Sequence, residues 1–250
     1  MKEADRQRAI LLRLARMGDA PARSAAGIPT GFHALDEALG AGGLPRGHMV
    51  EIFGPAGCGK TTLAIQITGH LQKRGLTVAW LDADHTFDPA WAAQLGADTQ
   101  RIPLAQPESA EQALDMARTL SDSGAVDLVV VDSAAALVPK LEIALEVGSA
   151  PGLHSRVMAS GLRKLSHALM RSCASVLFLN QARTRMEPSG GGGVTSAGSP
   201  PLKLYAAVRV MLTPLGGRRL GLRVLKNKMA AVAVGREIAW RQGSGFAESP

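Results

Sequence analysis

The run GPAGCGKTT at Gly54–Thr62 has the residue types and spacing that hold nucleotide phosphates. It follows an apolar stretch (Met49, Val50, Ile52, Phe53) and opens an apolar-periodic segment. In that context Gly54, Pro55, Ala56, Gly57, Cys58 and Gly59 form a loop whose backbone N–H groups face phosphate oxygens, and Thr62 continues into the helix. Lys60 reaches the β and γ oxygens, and Thr61 can ligate Mg2+.

Other residues could complete that chemistry. In LVVVDSAAAL, Asp132 directly follows four apolar residues, at the carboxyl end of an expected central strand, where α/β ligand sites form. Its carboxylate can hold the Mg2+ water shell opposite Thr61. In AWLDADHTFDP, either Asp82 or Asp84 could orient an attacking water, while Asp82 could instead cap the next helix. His85 reads as structural, because no Cys or His cluster surrounds it. In FLNQART, Gln181 ends another apolar run and could sense the γ-phosphate or cap the strand. Lys226 and Lys228 alternate in VLKNKMA, so they project from one strand face, either into solvent or toward phosphate across a subunit boundary.

These side chains need an alternating scaffold. Strand-like runs lie at 49–53, 77–81, 127–131, 175–179, 206–212, 220–226 and 230–234, and helical patterns at 32–39, 61–74, 89–95, 109–123 and 153–171. Early strands alternate with helices and late ones follow short turns. The pattern predicts an α/β fold with a central mixed, mostly parallel sheet and antiparallel strands toward the C-terminus. Residues 184–201 read as a long irregular loop, rich in Gly, Ser and Pro, with Arg183 and Arg185 at its start. Residues 1–27 read as a basic amphipathic helix (Ile10, Leu11, Leu14, Met17) and linker, 28–242 as the core and 243–250 as a short tail.

The chain has 250 residues, 46% hydrophobic and only 4% aromatic, enough for one full core packed by small aliphatic side chains. Two cysteines cannot make a disulfide framework, no run approaches 18 uninterrupted apolar residues, and no signal-like segment opens the chain. The expectation is a cytoplasmic protein with no membrane partner. The charge of +7 is uneven: Arg156–Arg241 carries 15 Lys or Arg against 2 acidic residues, whereas 1–155 carries 13 against 18. Such a field favours a polyanion, with affinity that falls steeply with salt.

From Ile28 to Ala231 the chain resembles the bacterial RecA recombinase family, through IPTGFHALDEALGAGGLPRGHMVEIFGPAGCGKTTLAIQ, LDADHTFDPAWAAQLG, GLHSR, LFLNQAR, LKLYAAVRVML and VLKNKMA. The resemblance implies a RecA-type P-loop ATPase core, ATP and Mg2+ as ligands, head-to-tail self-association, and single-stranded DNA held by two loops, roughly Glu146–Arg156 and Thr184–Ser199. By position it implies that Lys60, Thr61 and Asp132 bind Mg2+ and triphosphate, and that Gln181 senses the nucleotide. Asp88 and Trp91 would hold adenine, Lys226 and Lys228 would contact a neighbour's ATP, and Arg156, Arg163, Arg183, Arg185 and Lys203 would lie near DNA. The chain departs from the family pattern where Asp84 stands in place of the catalytic Glu, one methylene shorter, and where Gly190–Gly193 replaces a loop Phe.

These departures imply a specialised, nucleoid-associated relative. The nearest category is the small RecA-like proteins, often called ImuA, that act with translesion polymerases or RecA in the DNA damage response. A compact DNA-dependent recombinase, a nucleotide-gated scaffold and a regulatory ATPase with another client are the alternatives.

Overall fold

The computed structural model describes residues 26–145, 151–186, 192–198, 200–232 and 235–248. The expected N-terminal helix lies outside the described residues, as does 146–150 of the first expected DNA loop. Helix α1 (His33–Leu39) precedes strand β1 (Met49–Gly54), which runs into the phosphate loop and helix α2 (Lys60–Lys73). Strand β2 (Val78–Asp82), helix α3 (Pro89–Gln94), strand β3 (Leu104–Ala105), helix α4 (Ala110–Asp122) and strand β4 (Leu128–Asp132) follow. Next come α5 (Lys140–Ala144), α6 (Leu153–Ser172), β5 (Ser175–Met186), β6 (Gly192–Ser196) and α7 (Pro200–Tyr205). Strands β7 (Val208–Gly216), β8 (Arg219–Asn227), β9 (Arg236–Arg241) and β10 (Gly245–Glu248) complete the described chain.

The strands lie in the order β10-β9-β8-β7-β1-β5-β4-β2-β3, with β6 paired to β5 off this path. From β3 to β7 the pairs are parallel, and from β7 to β10 antiparallel. Strands β1, β2 and β4 are buried at every residue, as parallel strands covered on both faces must be. Alternate residues feed two cores: Val50, Ile52, Trp80 and Val130 pack with α1 and α2, while Met49, Leu81, Val129 and Val131 pack with α4 and α6.

Local sequence sets the helix starts. Ser109 Oγ accepts from Gln112 N at 3.3 Å to cap α4, and Asp88 Oδ1 accepts from Ala90 N at 2.8 Å and Trp91 N at 3.2 Å to cap α3, with Pro89 at its first position. Helix α6 runs for 20 residues with Met158, Leu162, Leu165 and Leu169 on its buried face.

Three expectations need correction. The 184–201 segment is not irregular throughout: β5 continues to Met186 and pairs antiparallel with β6, with Arg185 opposite Gly193, because backbone groups pair across a hairpin whatever the side chains. Residues 230–232 are not a strand. Asn227 Oδ1 accepts from Met229 N and Ala230 N, turning the chain after β8, and the next strand is β9, where Ile238 and Trp240 alternate with Glu237, Ala239 and Arg241. The segment after 242 is not a free tail. Strand β10 pairs with β9, and Gln66 on α2 exchanges hydrogen bonds with it, accepting from Phe246 N at 2.7 Å and donating to Phe246 O at 3.0 Å.

Candidate nucleotide and DNA site

The phosphate loop leaves the buried end of β1 and enters α2 without an intervening linker. Gly57 (φ 70°) and Gly59 (φ 90°) occupy the left-handed region. At Gly59 a Cβ would also lie 2.5 Å from the Phe246 ring, so only glycine fits there. Lys60 Nζ donates to Pro55 O at 2.8 Å and Gly54 O at 3.2 Å, which folds its ammonium over its own loop. Burial pushes the Cys58 thiol up, partly offset by Lys60, so the thiol stays neutral.

Thr61 Oγ1 donates to Asp132 Oδ2 at 2.8 Å, joining the first turn of α2 to the end of β4. Asp132 is buried, and its carboxyl is pushed up to about 6: desolvation dominates, Asp84 and Asp82 add to it, and the Thr61 hydrogen bond and Lys60 oppose it. The neighbouring Ser133 Oγ is buried with no hydrogen-bond partner.

Of the two carboxylates left open after β2, Asp82 is committed to structure. Its Oδ1 accepts from Thr86 N at 3.0 Å, and its Oδ2 from Phe87 N at 3.2 Å and Gln106 Nε2 at 3.0 Å. Asp84 is half-buried and close enough to Asp132 to raise its pKa, with its own N donating to Asp132 O at 3.0 Å. His85 is exposed, and among the described residues no group of three His, Cys, Asp or Glu could hold a metal unaided.

The residues fit ATP with Mg2+. Glycines shape the loop, Lys60 is adjacent, and Asp132 is a buried carboxyl whose ionisation a dication would favour, beside an unsatisfied Ser133 hydroxyl. Mg2+ keeps several waters and takes one or two protein ligands plus phosphate oxygens, which suits Thr61 and Asp132.

Sequence reasoning missed a buried polar network behind this loop. Glu51, in the middle of β1, is fully buried; its Oε2 accepts from Arg209 Nε at 2.5 Å and its Oε1 from Asn180 Nδ2 at 2.8 Å. Arg209 also donates to Ser196 Oγ at 3.0 Å and lies over the Phe53 ring at 5.0 Å. Asn180 Nδ2 reaches Ala197 O at 3.0 Å. The detectable signal was a lone Glu inside the apolar run Met49–Phe53. Next to it, Gln181 is half-buried, opposite Gly54 in the β1–β5 register, and its carbonyl accepts from Ala197 N at 2.7 Å.

The expected adenine residues have structural duties. Asp88 is the α3 cap, and half-buried Trp91 lies 6.4 Å from the Trp240 ring. Lys226 Nζ donates to Lys203 O at 2.7 Å and Leu204 O at 2.9 Å, and Lys228 Nζ to Leu204 O at 3.4 Å. Although β8 ends at Asn227, the two lysines thus meet at the last carbonyls of α7. Burial, then Lys228 and Arg209, lower the Lys226 pKa.

Among the expected DNA contacts, Arg156 and Arg163 are exposed on α6 two turns apart, and Arg183 is exposed on β5. Lys203 Nζ donates to Thr195 Oγ1 on β6 at 2.8 Å, and α7 packs on α6. The Arg185 side chain lies outside the described residues. The two expected loops adjoin: a Cβ on Gly198 would lie 3.8 Å from the His154 ring.

A family model described as the RecA N-terminal domain matches residues 8–244. The chain belongs to the RecA family. It is 43% identical to Protein RecA of Bifidobacterium breve over 92% of this chain and 62% of that protein. It is 45% identical to Protein RecA of Rubrobacter xylanophilus over 86% of this chain and 65% of that protein, and 46% identical to that of Acidiphilium cryptum over 81% and 62%. The chain thus spans somewhat less than two thirds of these curated relatives. A solved structure of the RadB recombinase superposes with a TM-score of 0.70 at 20% identity, covering 89% of this chain and 100% of that one, a likeness of fold. The expected RecA-type α/β core is therefore the observed one. Among the described residues no helix is long and apolar enough to cross a membrane.

Proposed function

We propose that this RecA-family chain binds ATP with Mg2+, couples it to single-stranded DNA, and serves homologous strand exchange as a DNA-dependent ATPase. The observation that carries the coupling is Gln181, set between Gly54 of the phosphate loop and Ala197 at the return of the β5–β6 hairpin. Lys60 would hold the β and γ oxygens, Thr61 and Asp132 the Mg2+, and Asp84 would orient the attacking water. Bound Mg2+ neutralises charge developing on the phosphates. Arg156, Arg163, Arg183, Arg185 and Lys203 would contact the DNA backbone, which fits the basic second half of the chain. In a head-to-tail assembly, Lys226 and Lys228 would leave the α7 carbonyls for a neighbour's phosphates, and Asp88 and Trp91 would border the base.

A second reading is favoured by one observation, Asp84 in the catalytic Glu position: an ATP-binding accessory to translesion synthesis, with slow hydrolysis. The identity of 43–46% to proteins named RecA gives the recombinase reading the better support. The test is ATP hydrolysis with and without single-stranded DNA at low and physiological salt, with Lys60→Ala to exclude contamination. DNA stimulation that falls with salt is expected. Intact nucleotide binding without hydrolysis or strand exchange would select the accessory reading.

A further inference from the structure

A cavity of about 360 Å³ opens beside the phosphate loop. Gly57, Gly59 and Thr62 form one wall. The rings of Trp240 and Phe246, 5.2 Å apart and edge to face, also line it. The β7–β8 turn contributes Arg218 and Arg219, both exposed, and no carboxylate is among the lining residues. The cavity therefore combines aromatic rings with two exposed cations.

The two arginines differ. Arg219 Nη1 is engaged by Glu237 Oε2 at 3.2 Å. Exposed Arg218 makes no ion pair or side-chain hydrogen bond with any described residue. Its backbone is held in place: Trp240 N donates to Arg218 O at 2.6 Å. Gly216, Gly217 and Arg218 have successive φ of 76°, 55° and 62°, a left-handed run that the glycines adopt freely and that strains the arginine. The turn thus fixes the backbone of Arg218, with its guanidinium uncommitted, beside a pocket shared with the phosphate loop.

We propose that Arg218 is an intrachain phosphate ligand, reaching the nucleotide on the Thr62 side of the loop, at the α-phosphate end. This rests on the ATP-binding reading above. Lys60 puts its charge at the β and γ oxygens while the loop N–H groups cradle the α and β phosphates, so a planar guanidinium beside Thr62 would add a cationic contact at the α end, where the loop offers only backbone donors. A guanidinium–phosphate pair is charge-assisted and can be bidentate. No existing ion pair is broken to make it.

The test measures ADP binding by calorimetry, independent of hydrolysis. Arg218→Ala should weaken ADP about tenfold, as loss of one charge-assisted contact predicts, and tripolyphosphate by a similar factor. Arg223→Ala, which removes the same charge outside the cavity, should stay within about twofold of wild type. Arg218→Gly relieves the left-handed strain and keeps the fold, so it should show the same loss of ADP without a lower Tm. ADP affinity within about twofold of wild type in both Arg218 variants, while Lys60→Ala loses binding, would overturn the Arg218 assignment and leave the ATP reading standing. Failure of the wild type to bind ADP would overturn both.

Discussion

Asp132→Asn should make the nucleotide-free protein more stable at neutral pH while removing its Mg2+-dependent nucleotide binding. The folded carboxyl titrates at about 6 against an ordinary value of 3.8. With the folded pKa above the unfolded one, the native state binds more protons between these values, so stability is greatest below about 4 and falls as pH rises through about 6. At about 1.4 kcal/mol per pKa unit, the ionised Asp132 costs about 3 kcal/mol at pH 7.5. An Asn carries no charge and its amide oxygen still accepts from Thr61, but its NH2 group lacks an assigned partner, which offsets about 1 kcal/mol. The net gain of about 2 kcal/mol corresponds to a Tm rise of about 4–8 °C at pH 7.5 for a domain of this size. Below pH 4 the charge term vanishes and only the amide cost remains, so the variant should be the less stable of the two by about 1 kcal/mol. Thermal unfolding of both proteins in chelator from pH 4 to pH 8 reads the difference directly. A Tm difference that does not grow with pH would refute the desolvation argument, whatever its sign at one pH.

Glu51→Ala leaves Arg209 buried without its carboxylate and should cost about 3–5 kcal/mol in urea unfolding, whereas a loss under about 1 kcal/mol would show that the network is solvated. Asp88→Ala removes the α3 cap and should lower stability by about 1 kcal/mol even without nucleotide, which calorimetry would check. Gly59→Ala drives a methyl into the Phe246 ring in a left-handed position; it should abolish nucleotide binding, and Phe246→Ala should rescue stability only in part, because φ 90° remains strained. Asp84→Glu restores one methylene of reach and should raise the ATP turnover rate; an unchanged or lower rate in a normally folded variant would count against the reach argument.

The legible parts of the fold were those written in contiguous residues. Strands β2 and β4 are apolar runs closed by an Asp, β1 is one interrupted only by Glu51, and α4 and α6 have periodic apolar faces, so each was placed within a residue or two. The phosphate loop and Asp132 were readable because strand ends and glycine spacing are local signals. The β5–β6 hairpin was not, since its pairing runs through backbone groups while Gly192 and Gly193 read as loop. Strand β9 was displaced because the apolar run after Lys228 outweighed the sparser alternation of Ile238 and Trp240. Glu51 was passed over because its partners, Asn180 and Arg209, lie 129 and 158 residues away. No spacing rule spans such distances. Arg218 likewise gains meaning only when its turn folds back beside Gly57 and Gly59.

The bond between Gln66 and β10 sets a timetable for synthesis. Phe246 buttresses Gly59 and is tied to α2 across 180 residues. At about 5–20 residues per second, roughly 10–40 s separate the appearance of the two partners at the ribosome. During that interval the glycine-rich loop exists without its aromatic support. The support of the loop therefore arrives last, once the sheet's far edge has closed.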